Sequence, residues 1–121
     1  MTKGNSNADQ LITTVLNGIE DVKGQNINIL DLRELENTVC DYFIICEGTS
    51  NTQVNAIVSS IQKKVSKEIK DKPWHIEGEG NAEWILMDYV NVLVHIFQKP
   101  IREFYDIESL WGDAKITVIS E

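Results

Sequence analysis

A chain of 121 residues can close one hydrophobic core without staples, and 42% hydrophobic with 25% charged residues is the composition of a soluble globular domain. A net charge of −8 argues against a protein that grips nucleic acid through its phosphates, leaving a basic protein partner or plain solubility as the use of that charge. No apolar run approaches the roughly 18 residues of a membrane span, and the polar first seven residues lack a secretory core, so a cytoplasmic location without membrane contact is expected.

Residues 1–6 are expected to be disordered. From 7 to 22, Leu11, Ile12, Val15, Leu16, Ile19 and Val22 recur at helical spacing, with Asn7 as cap, Gln10 three positions on, and Gly24 beyond the last turn. Ile27, Ile29, Leu30 and Leu32 mark a first strand, and 33–38 a polar connection. Residues 39–46 read as a second strand, apolar on both faces beyond Asp41 and hence interior to a sheet. A turn at 47–51 leads to a helix capped by Ser50 or Asn51, whose stripe is Val54, Ile57, Val58, Ile61, Val65 and Ile69. Lys63, Lys64, Lys67 and Lys70 form its solvated side, and Asp71-Lys72-Pro73 stops it. Residues 74–77 make a short third strand, and 78–81 a turn.

The stretch 84–97 is rich in β-branched and aromatic residues and free of Gly and Pro, which favours two adjacent strands with a break at 88–91. An even connection centred on Tyr89 and Val90 sets Asp88 opposite Asn91, Leu86 opposite Leu93 and Trp84 opposite His95. Alternation then puts those six on one face with Phe97, and the purely apolar Ile85, Met87, Val92, Val94 and Ile96 on the other. An odd connection would part Trp84 from His95. Pro100 opens a helix running to Leu110, with Ile101, Phe104, Tyr105 and Ile107 as its large nonpolar or aromatic groups, and Trp111-Gly112 closes it. The tail, 113–121, either adds a short edge strand or stays loose. The expected fold is a single α/β domain over residues 7–112: a mixed five-stranded sheet with helices packed on it.

Catalytic readings are weak. Gly48-Thr49-Ser50 could cradle a phosphate at a helix start, but the P-loop lysine is missing. A nucleotidyltransferase would hold Mg²⁺ with an Asp-x-Asp pair, and Val90 stands where Asp88 needs its partner. Cys46 and His95 could meet across the sheet, yet nothing in the sequence lowers the Cys46 pKa. Cys40 and Cys46, six residues apart in one strand, are about 20 Å apart and too distant for a disulfide. With His75 and His95 they lack the close spacing of a zinc site. No metal and no cofactor are expected.

Read together, Asp41-Tyr42-Phe43-Ile44-Ile45, Gly48-Thr49-Ser50, Gln53-Val54, Glu77-Gly78, Trp84-Ile85, Asp88, the strand 92–97 with His95, the run 102–105 and Leu110-Trp111 resemble the Iojap family of ribosomal silencing factors. The resemblance spans residues 8–112. It implies a nucleotidyltransferase-like fold without the catalytic carboxylates, and a non-enzymatic protein that binds protein fourteen of the large ribosomal subunit. Bound there, such a factor blocks joining of the small subunit and represses translation when nutrients are short. The partner-binding residues carried over are Trp84, Asp88, Asn91, His95, Arg102 and Tyr105, with Trp111 divided between contact and core. Little direct nucleic-acid binding and a monomer or weak homodimer are expected. Two positions depart from the family: Val90 replaces its usual glycine, which leaves the turn geometry open, and Thr52 its usual arginine, which removes one candidate charge from the second helix, so that helix is not nominated as an interface. The alternative is a nucleotide-binding or nucleotidyltransferase enzyme on the same fold.

Overall fold

The computed structural model describes residues 3–120, and side chains from residue 8 onward. The elements run α1 (Lys3–Asp21), β1 (Gln25–Asp31), β2 (Tyr42–Gly48), α2 (Asn51–Ile69), β3 (His75–Glu77), β4 (Trp84–Asp88), β5 (Val92–Gln98), α3 (Lys99–Tyr105), α4 (Ile107–Leu110) and β6 (Lys115–Val118). The sheet has six strands in the order β3-β4-β5-β2-β1-β6. Only β2 and β5 pair in parallel; the other four pairings are antiparallel. A mixed sheet with β2 inside it is what the apolar run of 42–46 requires.

Helices α1 and α2 lie side by side over one face. Leu11, Val15 and Ile19 of α1 and Val54, Ile57, Ile61 and Val65 of α2 close on Ile27, Ile44, Cys46, Ile85, Met87, Val92, Val94 and Ile96. The helices approach closely at Gly18, where an added Cβ would stand 3.0 Å from the Ile61 backbone, and Ser60 donates a 2.6 Å hydrogen bond to the Gly18 carbonyl. Helix α2 starts where the sequence says it should, because the Ser50 hydroxyl accepts from the Gln53 N–H. On the opposite face the short α3 and α4 cover a smaller core of Leu30, Leu32, Cys40, Phe43, Ile45, Phe97 and Ile107.

Several expectations need correcting. The sheet has a sixth strand: β6 pairs with β1 along residues 115–118, so the tail belongs to the domain. Helix α1 begins at Lys3, which leaves Asn7 inside the helix and not at its cap; of the segment expected to be disordered, residues 1 and 2 lie outside the described residues. Strand β2 begins at Tyr42, and Val39 is 70% exposed ahead of it. The last helix is two helices, divided at Asp106, whose φ of 47° breaks the α-helical path.

The central hairpin keeps its two faces but slips by two residues. Trp84 is opposite Phe97, Leu86 opposite His95 and Asp88 opposite Leu93. The cause is the turn, which is made by Val90 and Asn91: Tyr89 is buried and its N–H donates to the Val92 carbonyl. Val90 sits at φ +77°, a conformation that suits glycine and strains a β-branched residue. The Asp88 carboxylate accepts a 2.7 Å hydrogen bond from the Val90 N–H and steadies the strained peptide. Because the connection is still even, Trp84 and His95 remain on one face.

Candidate docking face

The face covered by α3 and α4 carries an aromatic cluster that continues from core to solvent. Phe97 is fully buried, and half-buried Trp84 stacks on it with ring centroids 4.9 Å apart. Trp84 in turn meets Tyr105 of α3 at 4.9 Å, and Tyr105 meets Phe104 at 5.0 Å. Tyr105 is 52% exposed and Phe104 78%, while Leu110 on the adjoining α4 is 77% exposed. Scattered exposed apolar residues are ordinary; contiguous aromatic ones leading out of a core make this face the candidate docking surface. The start of β4 is fixed beneath them by Gly78, at φ +91°, where any Cβ would run into the Trp84 carbonyl.

His95 sets the indole. Trp84 Nε1 donates to His95 Nδ1 at 3.1 Å, so the neutral ring carries its proton on Nε2. Nε2 is buried with no hydrogen-bond partner, walled by Phe43 at 4.5 Å. Burial pushes the His95 pKa down to about 4, the Glu108 carboxylate opposing it only in part. At neutral pH the ring is therefore an uncharged acceptor that holds Trp84.

The six residues nominated from sequence separate into three groups. Trp84, His95 and Tyr105 come together as described. Asp88 and Asn91 lie at the other end of the hairpin, Asp88 about 13 Å along β4 from Trp84: Asp88 braces the turn as above, and the Asn91 backbone carbonyl ties the turn to the start of β2 by accepting from the Asp41 and Tyr42 N–H groups. Arg102 is only 8% exposed and turned inward. Its Nη1 donates to Glu47 Oε1 at 3.1 Å and to the Asn26 carbonyl at 2.6 Å, and its Nη2 donates to Glu108 Oε2 at 2.6 Å. As placed, Arg102 supports the face from below. Burial opposes the Glu108 carboxylate, but hydrogen bonds from Arg102 and Asn28 outweigh it and hold its pKa below the ordinary range. Trp111 is partly buried with its edge on Phe43 at 5.6 Å, a core position. Phe104 and Leu110 are not among the six, although both lie in the stretches that carry the family resemblance; an Arg and a Glu stand two positions before them.

Chemistry finds no footing among the described residues. Cys46 faces the α1–α2 core while His95 faces the other side, and burial pushes the Cys46 thiol up to about 12. The helix start after Gly48-Thr49-Ser50 is occupied by its own side chains, since Gln53 Oε1 accepts from the Thr49 N–H at 2.7 Å. No group of three His, Cys, Asp or Glu side chains is arranged to hold a metal ion among the described residues, and none of their helices is long and apolar enough to cross a membrane.

The sequence matches the family described as "Ribosomal silencing factor during starvation" over residues 5–121. The chain belongs to the RsfS family. Ribosomal silencing factor RsfS of Halalkalibacterium halodurans is 36% identical over 105 residues, 87% of this chain and 88% of that one. Its counterpart from Bacillus subtilis is 39% identical over 98 residues, 80% of each. A crystal structure of a Chromobacterium violaceum protein superposes with a TM-score of 0.80 at 34% identity, covering 93% of this chain and 92% of that one. The RsfS match extends past residue 112 through the tail, in agreement with β6 being a strand of the domain.

Proposed function

We propose that this ribosomal silencing factor acts by docking its α3–α4 face onto the large ribosomal subunit and sterically blocking the small one. The observation that carries the reading is the aromatic run from half-buried Trp84 to exposed Tyr105 and Phe104, built onto the sheet. Aromatic anchors of this kind dominate binding energy at protein interfaces, and a stable interface buries about 1,200–2,000 Å² in total. The partner we assign is protein fourteen of the large subunit, as the Iojap resemblance implies. A net charge of −8 suits a basic ribosomal protein and speeds encounter with it.

The mechanism is occlusion, with no bond made or broken. The nucleotidyltransferase-like fold without catalytic carboxylates belongs to this reading too: the Asp88 carboxylate is engaged by the hairpin turn. A cytoplasmic site of action goes with the same role. The test is sedimentation with isolated large subunits against joined ribosomes. Binding to free large subunits and exclusion by joined ones is expected; equal binding to both, or to neither, would contradict the proposal.

A further inference from the structure

Helix α3 is mounted the wrong way round for a helix on a hydrophobic core. Its arginine points in and its phenylalanine points out, the reverse of the amphipathic rule. Arg102 and Phe104 are about 200° apart around an α-helix, so fixing one inward necessarily directs the other to solvent. The same pattern repeats on α4: Glu108 is turned inward to Arg102, and Leu110, two positions later, is exposed. Among the described residues, two of the three most exposed large apolar side chains thus follow the two partners of one largely buried ion pair.

That pair is part of a three-residue network spanning three elements. Glu47 comes from the end of β2, Arg102 from α3 and Glu108 from α4. Two asparagines of β1 complete it, Asn26 Nδ2 donating to Glu47 Oε2 at 2.8 Å and Asn28 Nδ2 to Glu108 Oε2 at 2.7 Å. In a continuous helix residues 102 and 108 would point about 120° apart. The left-handed residue Asp106 breaks the helix and brings them together. A buried ionic network is a poor source of stability compared with apolar packing of the same volume, and its best-attested use is to select one arrangement over another.

We infer that Glu47, Arg102 and Glu108 form a latch that fixes the rotation of α3 and α4 and so holds Phe104 and Leu110 out for the ribosomal partner. The residues of the latch are positioning residues and touch no partner. Without them the hydrophobic effect favours rolling α3 until Phe104 lies on the sheet, which hides the docking face. The inference rests on the docking reading for its consequence, though not for its geometry.

Fluorophenylalanine incorporation separates the two. The chain has three phenylalanines, of which Phe43 and Phe97 are buried and only Phe104 is exposed. Its fluorine spectrum should show one signal with a solvent-isotope shift. The variant Glu47→Gln/Arg102→Met/Glu108→Gln removes all three charges and leaves acceptors for Asn26 and Asn28. It should melt cooperatively, lose the solvent-exposed signal and bind large subunits roughly tenfold or more weakly, since only the unrolled fraction is competent. Arg102→Lys, which keeps a charge between the carboxylates, should retain the exposed signal. A folded triple variant with Phe104 still exposed would overturn the latch, and so would an unfolded one, which would make the network a requirement of the fold. If wild type fails to bind large subunits, the docking reading falls while the fluorine spectra still decide the latch.

Discussion

The two faces of the sheet are built by opposite rules. Under α1 and α2 hydrophobic order holds almost throughout: the stripes of both helices point inward and meet an apolar strand face, and among the described residues the Tyr89 hydroxyl is the one buried side-chain polar atom there without a partner. Under α3 and α4 the order is broken by a buried histidine, a buried arginine with two carboxylates, and aromatics directed to solvent. Sequences that specify a fold are consistent across levels, and departures concentrate where function requires them. The first face holds the larger core; the second holds a smaller core and the exposed aromatics.

The sharpest way to break the comparison is to put a charge into the orderly face. Val94 is fully buried beneath α2, and Val94→Asp should cost more than about 4 kcal/mol, giving an insoluble or unfolded chain by circular dichroism. A soluble variant with the wild-type melting temperature would show that this face is not the core.

The second effect is a pH dependence confined to the other face. His95 has a folded pKa near 4, below the ordinary 6.5 it regains on unfolding. The unfolded chain binds more protons between those values, so this contribution is complete above pH 6.5 and is lost as pH falls toward 4. It amounts to something on the order of 3 kcal/mol. Protonation would also place a proton on Nδ1 facing the Trp84 N–H, breaking the bond that sets the indole. Comparing stability between pH 4 and 7 for wild type and His95→Gln isolates the effect; matching slopes would remove it.

Trp84→Ala stands third and straddles both roles. The indole is half-buried on Phe97, so its loss should cost about 2 kcal/mol of stability as well as binding, and its melting temperature must be read beside its sedimentation. Unchanged stability would mean that the stacking on Phe97 contributes nothing.

How far the sequence revealed these two faces follows from the physics of each. Alternation along 84–88 and 92–97 fixed which residues share a face, because a period of two is insensitive to a slip by two. It could not fix the register, which depends on Val90 taking a positive φ that its side chain disfavours. The stripe and Ser50 cap of α2 were legible because all their determinants are local. Strand β6 was not decided: an edge strand and a loose tail both fit, because four exposed residues have no buried face to leave a pattern. Nor was the break at Asp106, where neither Gly nor Pro gives a signal. Arg102 enters as a contact only through the family resemblance, and its inward turn leaves no local signal, because its partner Glu47 is 55 residues away and only the folded sheet brings them together. Trp84 and His95 share a face because alternation survives the two-residue slip, and α3 brings Tyr105 onto Trp84 there.

The smallest expected effect on stability belongs to Phe104→Ala, and it is the most direct test of the docking face. Phe104 is 78% exposed, so its truncation should change stability by no more than about 0.5 kcal/mol. As an interface anchor it should cost about 2 kcal/mol or more of binding, roughly thirtyfold in dissociation constant. The measurement is co-sedimentation of the variant with isolated large subunits across a concentration series, alongside its melting curve. An unaltered melting temperature with at least thirtyfold weaker binding is the expected result. Wild-type binding by a variant that folds as wild type would contradict the docking of this silencing factor through its α3–α4 face.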